Sequence, residues 1–150
     1  MIQIELVGTR AANAALSVDI LALLEAPISR SVLRMQQALQ KYPPPIAPGH
    51  WRANTSPAQR RAFFAKLRRG EVSGHRTGNL GRGWTATMRR KWGGLEGKVS
   101  NQVPYAMWVQ ADATQSRFHR NRWQTDRAVL ALEEPVLERE VSAALRRGLP

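Results

Sequence analysis

The sequence predicts an α+β domain: a small, mostly antiparallel sheet packed against N- and C-terminal helices, with long projecting loops. Three observations lead there. Ile2, Ile4 and Leu6 alternate with polar residues at the N-terminus, the mark of a half-buried strand. Two glycine- and aromatic-bounded segments, 83–91 and 95–102, flank Trp92-Gly93-Gly94 and read as a hairpin. Apolar residues recur at helical spacing before the first of these segments and again at the C-terminal end.

Taken in order, the first strand ends at Gly8, and a helical pattern begins near residue 10 with Leu16, Ile20, Leu23 and Leu24. Pro27 interrupts it, implying a kink or a fresh helix start. Ile28, Val32, Met35 and Leu39 then form one stripe of a helix ending near Tyr42. Pro43-Pro44-Pro45 stops it and favours an extended polyproline conformation, so residues 43–56 read as a loop. Ser56-Pro57-Ala58-Gln59 starts another helix, with serine and glutamine spaced as a capping box and Gly70 as the stop. Phe63, Phe64 and Leu67 share one arc of it, with Arg60 at the apolar edge and Arg61, Lys66, Arg68 and Arg69 around the rest. Such a helix could cover the core, lie on a membrane or dock onto a neighbouring subunit; its isolation between loops favours cover or docking.

In the hairpin, Trp84 and Met88 share one parity, and Thr85, Thr87 and Arg89 take the other. Segment 103–110 reads as a further strand, or as the second one resumed after Pro104. Residues 111–124 form a long polar loop of the kind that is functional or disordered. A last helix starts at Thr125-Asp126, with Val129, Leu132, Val136, Leu137, Val141 and Leu145 on its buried face. Pro135 should bend it, and Arg146 and Arg147 suit its C-terminal dipole. The 150 residues fit a single domain, with 43–76 as an arm made of loop and basic helix.

Composition narrows the function. There is no cysteine, which removes disulfides, thiolate metal sites and cysteine nucleophiles. The longest apolar run is too short to span a bilayer. The first five residues lack a basic region and a cleavable apolar stretch, so no signal peptide is expected. The net charge of +12 is unevenly spread: residues 51–99 hold twelve Lys and Arg against Glu71 and Glu96, a net of +10. Such a segment suits a polyanion or an acidic protein surface.

No catalytic constellation emerges. His50, His75 and His119 all fall in expected loops without metal-ligand spacing or an orienting carboxylate. Arg76 beside His75, and Arg117 and Arg120 around His119, would depress the imidazole pKa without making a catalyst. Glu133, Glu134, Glu138 and Glu140 read as the solvated face of the last helix. Gly78, Gly81 and Gly83 permit unusual backbone angles, but no strand precedes them and no Lys-Ser/Thr follows, so the segment is not a nucleotide loop. No metal and no cofactor are expected. Trp84 and Trp108 read as sheet core, whereas Trp92 and Trp123, near Arg120 and Arg122, read as exposed contact residues for nucleobases or protein.

Two short motifs carry a resemblance. Thr77-Gly78-Asn79-Leu80, running into the Trp84 strand, is followed by Pro104-Tyr105-Ala106-Met107-Trp108-Val109. Together with Tyr42-Pro43-Pro44 they resemble, in kind and order, the tail-completion or head-tail joining (neck) proteins of long-tailed double-stranded-DNA phages. One departure is Gln110-Ala111-Asp112, where family members often place a glycine. The resemblance implies a non-enzymatic structural protein made in the host cytoplasm and incorporated into the virion at the head-tail junction or tail end. It implies a homo-oligomeric ring that meets neighbouring connector or tail proteins, or packaged DNA, and no membrane. Thr77, Gly78, Leu80, Tyr105 and Ala106 would be structural. Arg60, Arg61, Arg68, Arg69, Trp92, Arg120, Arg122 and Trp123 are the candidate subunit or DNA contacts. The competing expectations are a basic nucleic-acid-binding protein and a small nuclease.

Overall fold

The computed structural model describes residues 2–6, 19–43, 56–69, 78–91 and 94–149, which form an α+β architecture. In chain order the elements are β1 (Ile2–Leu6), α1 (Ile20–Gln40), α2 (Pro57–Arg69), α3 (Asn79–Arg82), β2 (Trp84–Lys91), β3 (Gly94–Asn101), α4 (Ala106–Gln110) and α5 (Asp126–Gly148). The sheet is antiparallel in the order β1-β3-β2, so the hairpin's second strand is central and β2 is an edge. Pairing runs from Trp84↔Asn101 to Lys91↔Gly94, as the hairpin reading requires; Trp92 and Gly93 lie outside the described residues. The register sets Ile2, Ile4 and Leu6 opposite Val99, Gly97 and Leu95. The alternation seen in the N-terminal sequence thus matches the apolar parity of β3.

Helix α1 is the centre of the molecule, packing on β2 and β3 on one side and on α5 on another. Its start is fixed by Asp19, whose carboxylate accepts from the Ala22 N–H at 3.1 Å. The described helix therefore begins at Ile20; the earlier start expected near residue 10 falls outside the described residues. Pro27 begins no new helix. Buried positions 20, 24, 27, 28, 31, 32, 35 and 39 keep one stripe of threes and fours straight through it. Packing of that stripe offsets the hydrogen bond that Pro27 denies the Leu23 carbonyl. Pro135 likewise lies within the continuous α5.

The core gathers Leu24, Ile28, Val32, Met35 and Leu39 of α1, Trp84 of β2, Leu95 and Val99 of β3 and Val129 of α5. Helix α1 approaches the sheet closely at Gly97, where an added Cβ would stand 2.4 Å from Val32 Cγ2 and 3.2 Å from Ile28 Cγ2. A second, smaller cluster contains Leu80, Ala106 and Val109, covered by Tyr42, Val103 and Trp123. Inside α5, Leu132 is 66% exposed, contrary to its expected place on the buried face, while Ala144 and Glu133 are buried. The burial of Glu133 follows from what α1 offers opposite it, the Arg34 guanidinium.

Segment 103–110 forms no strand. Pro104 has no N–H for a ladder, the Ala106 N–H bonds to the Val103 carbonyl at 2.9 Å, and the chain closes into the short helix α4. Its buried residues, Ala106, Val109 and Gln110, are three and four apart, a helical spacing. The glycine corner also contains a turn of helix, α3, entered through Gly78 at φ +78°. Gly83 has an ordinary φ of −74°, so of the three glycines only Gly78 needs a left-handed backbone. Gly81 serves close approach: its N–H donates to the Tyr42 hydroxyl at 3.1 Å, and an added Cβ would lie 3.0 Å from the Tyr42 ring. Asn101 ties this corner to the hairpin, donating to the Leu80 carbonyl at 2.8 Å and accepting from the Val103 N–H at 2.9 Å.

Candidate functional site

The basic helix α2 forms as its sequence dictates. Ser56 Oγ accepts from the Gln59 N–H at 3.3 Å while Gln59 Oε1 accepts from the Ser56 N–H at 2.9 Å, a reciprocal capping box. Arg60, Arg61, Lys66, Arg68 and Arg69 are all exposed on it. The Phe63 and Phe64 rings meet edge to face at 5.7 Å, yet Phe64 stays 47% exposed. Helix α2 shares no extended interface with any other described element. Gly70, its expected stop, and Thr77 lie outside the described residues.

The edge strand β2 is a second basic surface. From Thr85 onward it is exposed except for the half-buried Ala86. Arg90 lies on the α1 side, bonding Glu25 through Nε at 2.5 Å and reaching Asp19 at 3.6 Å. Its hydrogen bond to Glu25 raises its pKa against the opposing effect of burial. Lys91 Nζ donates to Glu96 Oε1 at 2.8 Å on the opposite face, where Arg89 is the register partner of Glu96. An edge bearing Arg89, Arg90 and Lys91 discourages indiscriminate strand pairing.

The aromatic candidates are redistributed. Trp84 is buried in the core as expected, its Nε1 donating to Gln110 Oε1 at 2.9 Å. Trp108 is 52% exposed and is no sheet-core residue, because α4 turns its side chain away from Ala106 and Val109. Tyr105 and Met107 beside it are 44% and 45% exposed. Trp123 is the reverse case: it packs edge to face on Tyr42 at 5.0 Å and belongs to the second cluster, not to an exposed contact surface. Trp92 lies outside the described residues.

The 111–124 loop is long and polar as expected, and side chains tie it to α4. Gln115 Nε2 donates to the carbonyls of Val109 at 2.8 Å and Trp123 at 3.1 Å, and the Ser116 N–H donates to the Trp108 carbonyl at 2.8 Å. Asn121 takes a left-handed φ of 61°. Arg120 projects into solvent, whereas Arg122 is half-buried. His119 is half-buried against Trp123, and burial followed by the Arg122 charge lowers its pKa. Arg122 therefore takes the part expected of Arg117 and Arg120. His50 and His75 lie outside the described residues, and no cluster of three His, Asp or Glu side chains capable of holding a metal occurs among the described ones.

The glutamates of α5 divide into two pairs. Glu133 and Glu140 do not face solvent: Arg34 Nε donates to Glu133 at 3.0 Å, Arg34 Nη1 to Glu140 Oε1 at 2.8 Å, and Arg30 Nε to Glu140 Oε2 at 3.1 Å. Glu133 is only 8% exposed. Positions 133 and 140, seven apart, fall on the arc that meets α1, which overturns their reading as a solvated face. Glu134 and Glu138 remain exposed, and no ion pair among the described residues involves them.

A cleft of about 150 Å³ opens between the hairpin base and α4, lined by Trp84, Asn101, Ala106, Met107 and Asp126. It is smaller than the several hundred Å³ of ordinary small-molecule sites, roughly 300 Å³ and above. Among the described residues no helix is long and apolar enough to cross a membrane. The described residues offer three exposed surfaces: a basic helix, a cationic sheet edge, and a Tyr105–Met107–Trp108 patch. No family model, curated protein or solved structure matches this chain.

Proposed function

We propose that this chain is a structural subunit of a tailed-phage virion, a ring-former at the head-tail junction or tail end that catalyses no reaction. The observation that carries the reading is α2, whose charged side chains are all cationic and which shares no extended interface with the other described elements. Five cations and two phenylalanines on one helix suit a partner surface of opposite charge. The Thr77–Leu80 and Tyr105–Val109 motifs support the phage context through the resemblance they carry. Gly78 and Leu80 shape the corner beneath β2, and Ala106 fills the second cluster, structural roles in keeping with it.

A ring subunit must contact copies of itself on two sides and a further ring above or below. Arg60, Arg61, Arg68, Arg69 and Arg120 would supply the contacts to acidic neighbours or packaged DNA. The test is the genetic context: portal, capsid and tail-tube genes are expected to flank the coding sequence. A solitary gene outside any prophage or phage genome would remove the reading's main support.

A second reading, a nucleic-acid-binding protein, is favoured by the half-exposed Trp108 on α4, tied by hydrogen bonds to the basic 111–124 loop. It requires DNA or RNA affinity by the isolated monomer that falls steeply with salt.

A further inference from the structure

Two exposed helical faces of this chain complement one another in charge. On α2, Arg61, Phe64 and Arg68 recur at i, i+3 and i+7, so one exposed strip has an aromatic ring flanked by two guanidiniums. Phe64 is 47% exposed there, an unusual position for a large ring. On α5, Ala131, Glu134, Pro135 and Glu138 recur at i, i+3, i+4 and i+7, all exposed. That strip has Pro135 between two carboxylates and Ala131 one turn before them, with Leu132, 66% exposed, at its margin. Inside the chain, Arg34 and Arg30 occupy Glu133 and Glu140 on the other side of α5. Glu134 and Glu138 are left facing outward, beside the exposed Pro135 and Leu132.

Resting on the assembly reading above, we infer that the occupant of the α2 face is a second copy of this chain, with Phe64 seated on Pro135 and with Arg61 and Arg68 paired to Glu134 and Glu138. Each copy has both faces, on different helices, so the contact is heterologous: it leaves one α2 face and one α5 face free to take further copies. Repetition closes a ring or extends a filament according to the rotation between copies. The apolar centre supplies the burial and the flanking charges fix register and polarity, the division of labour seen at specific interfaces. DNA suits the arginines of α2 as well, but it has no use for Leu132, Pro135 and the two carboxylates.

The experiment is a charge exchange, followed by sedimentation velocity at low and high salt. The variants are Arg61→Glu with Arg68→Glu, and separately Glu134→Lys with Glu138→Lys. All four positions are exposed, so both chains are expected to keep the wild-type circular dichroism and melting profile. Each variant alone should self-associate at least about tenfold more weakly than wild type, because like charges then face one another. Mixed together, the two should co-assemble in one-to-one ratio with alternating chains, because both contacts between unlike chains pair opposite charges, one exchanged and one native, while contacts between like chains repel. Assembly left intact in both variants would overturn this interface while leaving the ring reading standing. A wild-type chain that is monomeric at every concentration would overturn both, as would variants that lose association but show no recovery on mixing overturn the pairing itself.

Discussion

The indole nitrogen of Trp84 donates to Oε1 of Gln110 across 2.9 Å, and Gln110 Nε2 passes the connection on to the Leu39 carbonyl at 2.8 Å. Gln110 is 1% exposed, so this amide joins β2, α4 and the end of α1 where water cannot substitute for it. It also stands between the main core and the cluster of Leu80, Ala106 and Val109. Replacing it by leucine would strand a buried donor and a buried acceptor. Gln110→Leu is expected to cost about 2–6 kcal/mol by urea denaturation, at about 1–3 kcal/mol for each of the two unsatisfied groups. Gln110→Glu keeps an acceptor for Trp84 but buries a carboxyl group against the Leu39 carbonyl, and its stability should fall further as pH rises. A neutral Gln110→Leu would show that this link is dispensable.

The α1–α5 contact depends on Arg34. Its guanidinium is the principal partner of a nearly buried Glu133, so Arg34→Ala leaves a carboxylate in a poor solvent. The expected loss is about 2–3 kcal/mol, below the figure for a fully buried pair because water reaches Arg34. Arg34→Met combined with Glu133→Leu should recover most of it, since no charge is then left unpaired. Chemical denaturation of the single and double variants measures the difference.

Stability should fall on acidification in two steps. His119 has a lowered pKa in the fold, from burial and then the Arg122 charge, so the unfolded chain binds its proton more readily. Its contribution is present above the ordinary histidine value and is lost as pH falls through the folded value. Glu140 follows at lower pH. Burial pushes its pKa up, but hydrogen bonds from Arg34 and Arg30 and their charges outweigh it, and the net shift is downward. The stability it confers is present above the ordinary glutamate value and is lost as pH falls through the folded one. Midpoints of thermal melts against pH should lose the first step in His119→Phe and flatten the second in Glu140→Gln.

Gly97→Ala tests the seam between α1 and the sheet. The added methyl would meet Val32 and Ile28, both buried and both β-branched, whose side chains have little rotamer freedom in a helix. A loss of about 1–3 kcal/mol is expected. Adding Val32→Ala should relieve the clash, making the double variant less destabilised than the sum of the two single changes. Simple additivity would place the strain elsewhere.

Ser31 provides a change in the opposite direction. Its hydroxyl is buried without a hydrogen-bond partner among the described residues. Ser31→Ala keeps the Cβ and removes the orphan, and should stabilise the fold by about 1 kcal/mol in the same denaturation assay.

What could be read from the chain was mostly what neighbours in sequence decide. The Ser56–Gln59 box, the Thr125 cap that accepts from the Ala128 N–H at 3.2 Å, and the hairpin depend on residues a few positions apart. What escaped depends on partners far along the chain. Glu133 and Glu140 look like a solvated pair until α1 sets Arg34 opposite, although the spacing of seven shared by the two glutamates and of four by Arg30 and Arg34 was a usable signal. Trp108 is exposed because Ala106, Val109 and Gln110 follow the helical period and not that of a strand, and Trp123 is covered by Tyr42, 81 residues away in sequence. The continuity of α1 across Pro27 was equally visible in the unbroken stripe from Ile20 to Leu39, once weighed against the proline. The importance of Gln110 had no local signature, since its two partners lie 26 and 71 residues away. The candidate surface itself was legible in its charge: α2 stands out in composition alone.

The central claim, that this chain is an assembly subunit, is tested most directly by native mass spectrometry of the purified protein, with negative-stain images of the same sample. A closed ring of one stoichiometry with a central opening, disassembled by high salt, is the predicted result. A monomer that stays single at the highest attainable concentration, alone and with candidate neck or tail partners, would contradict it.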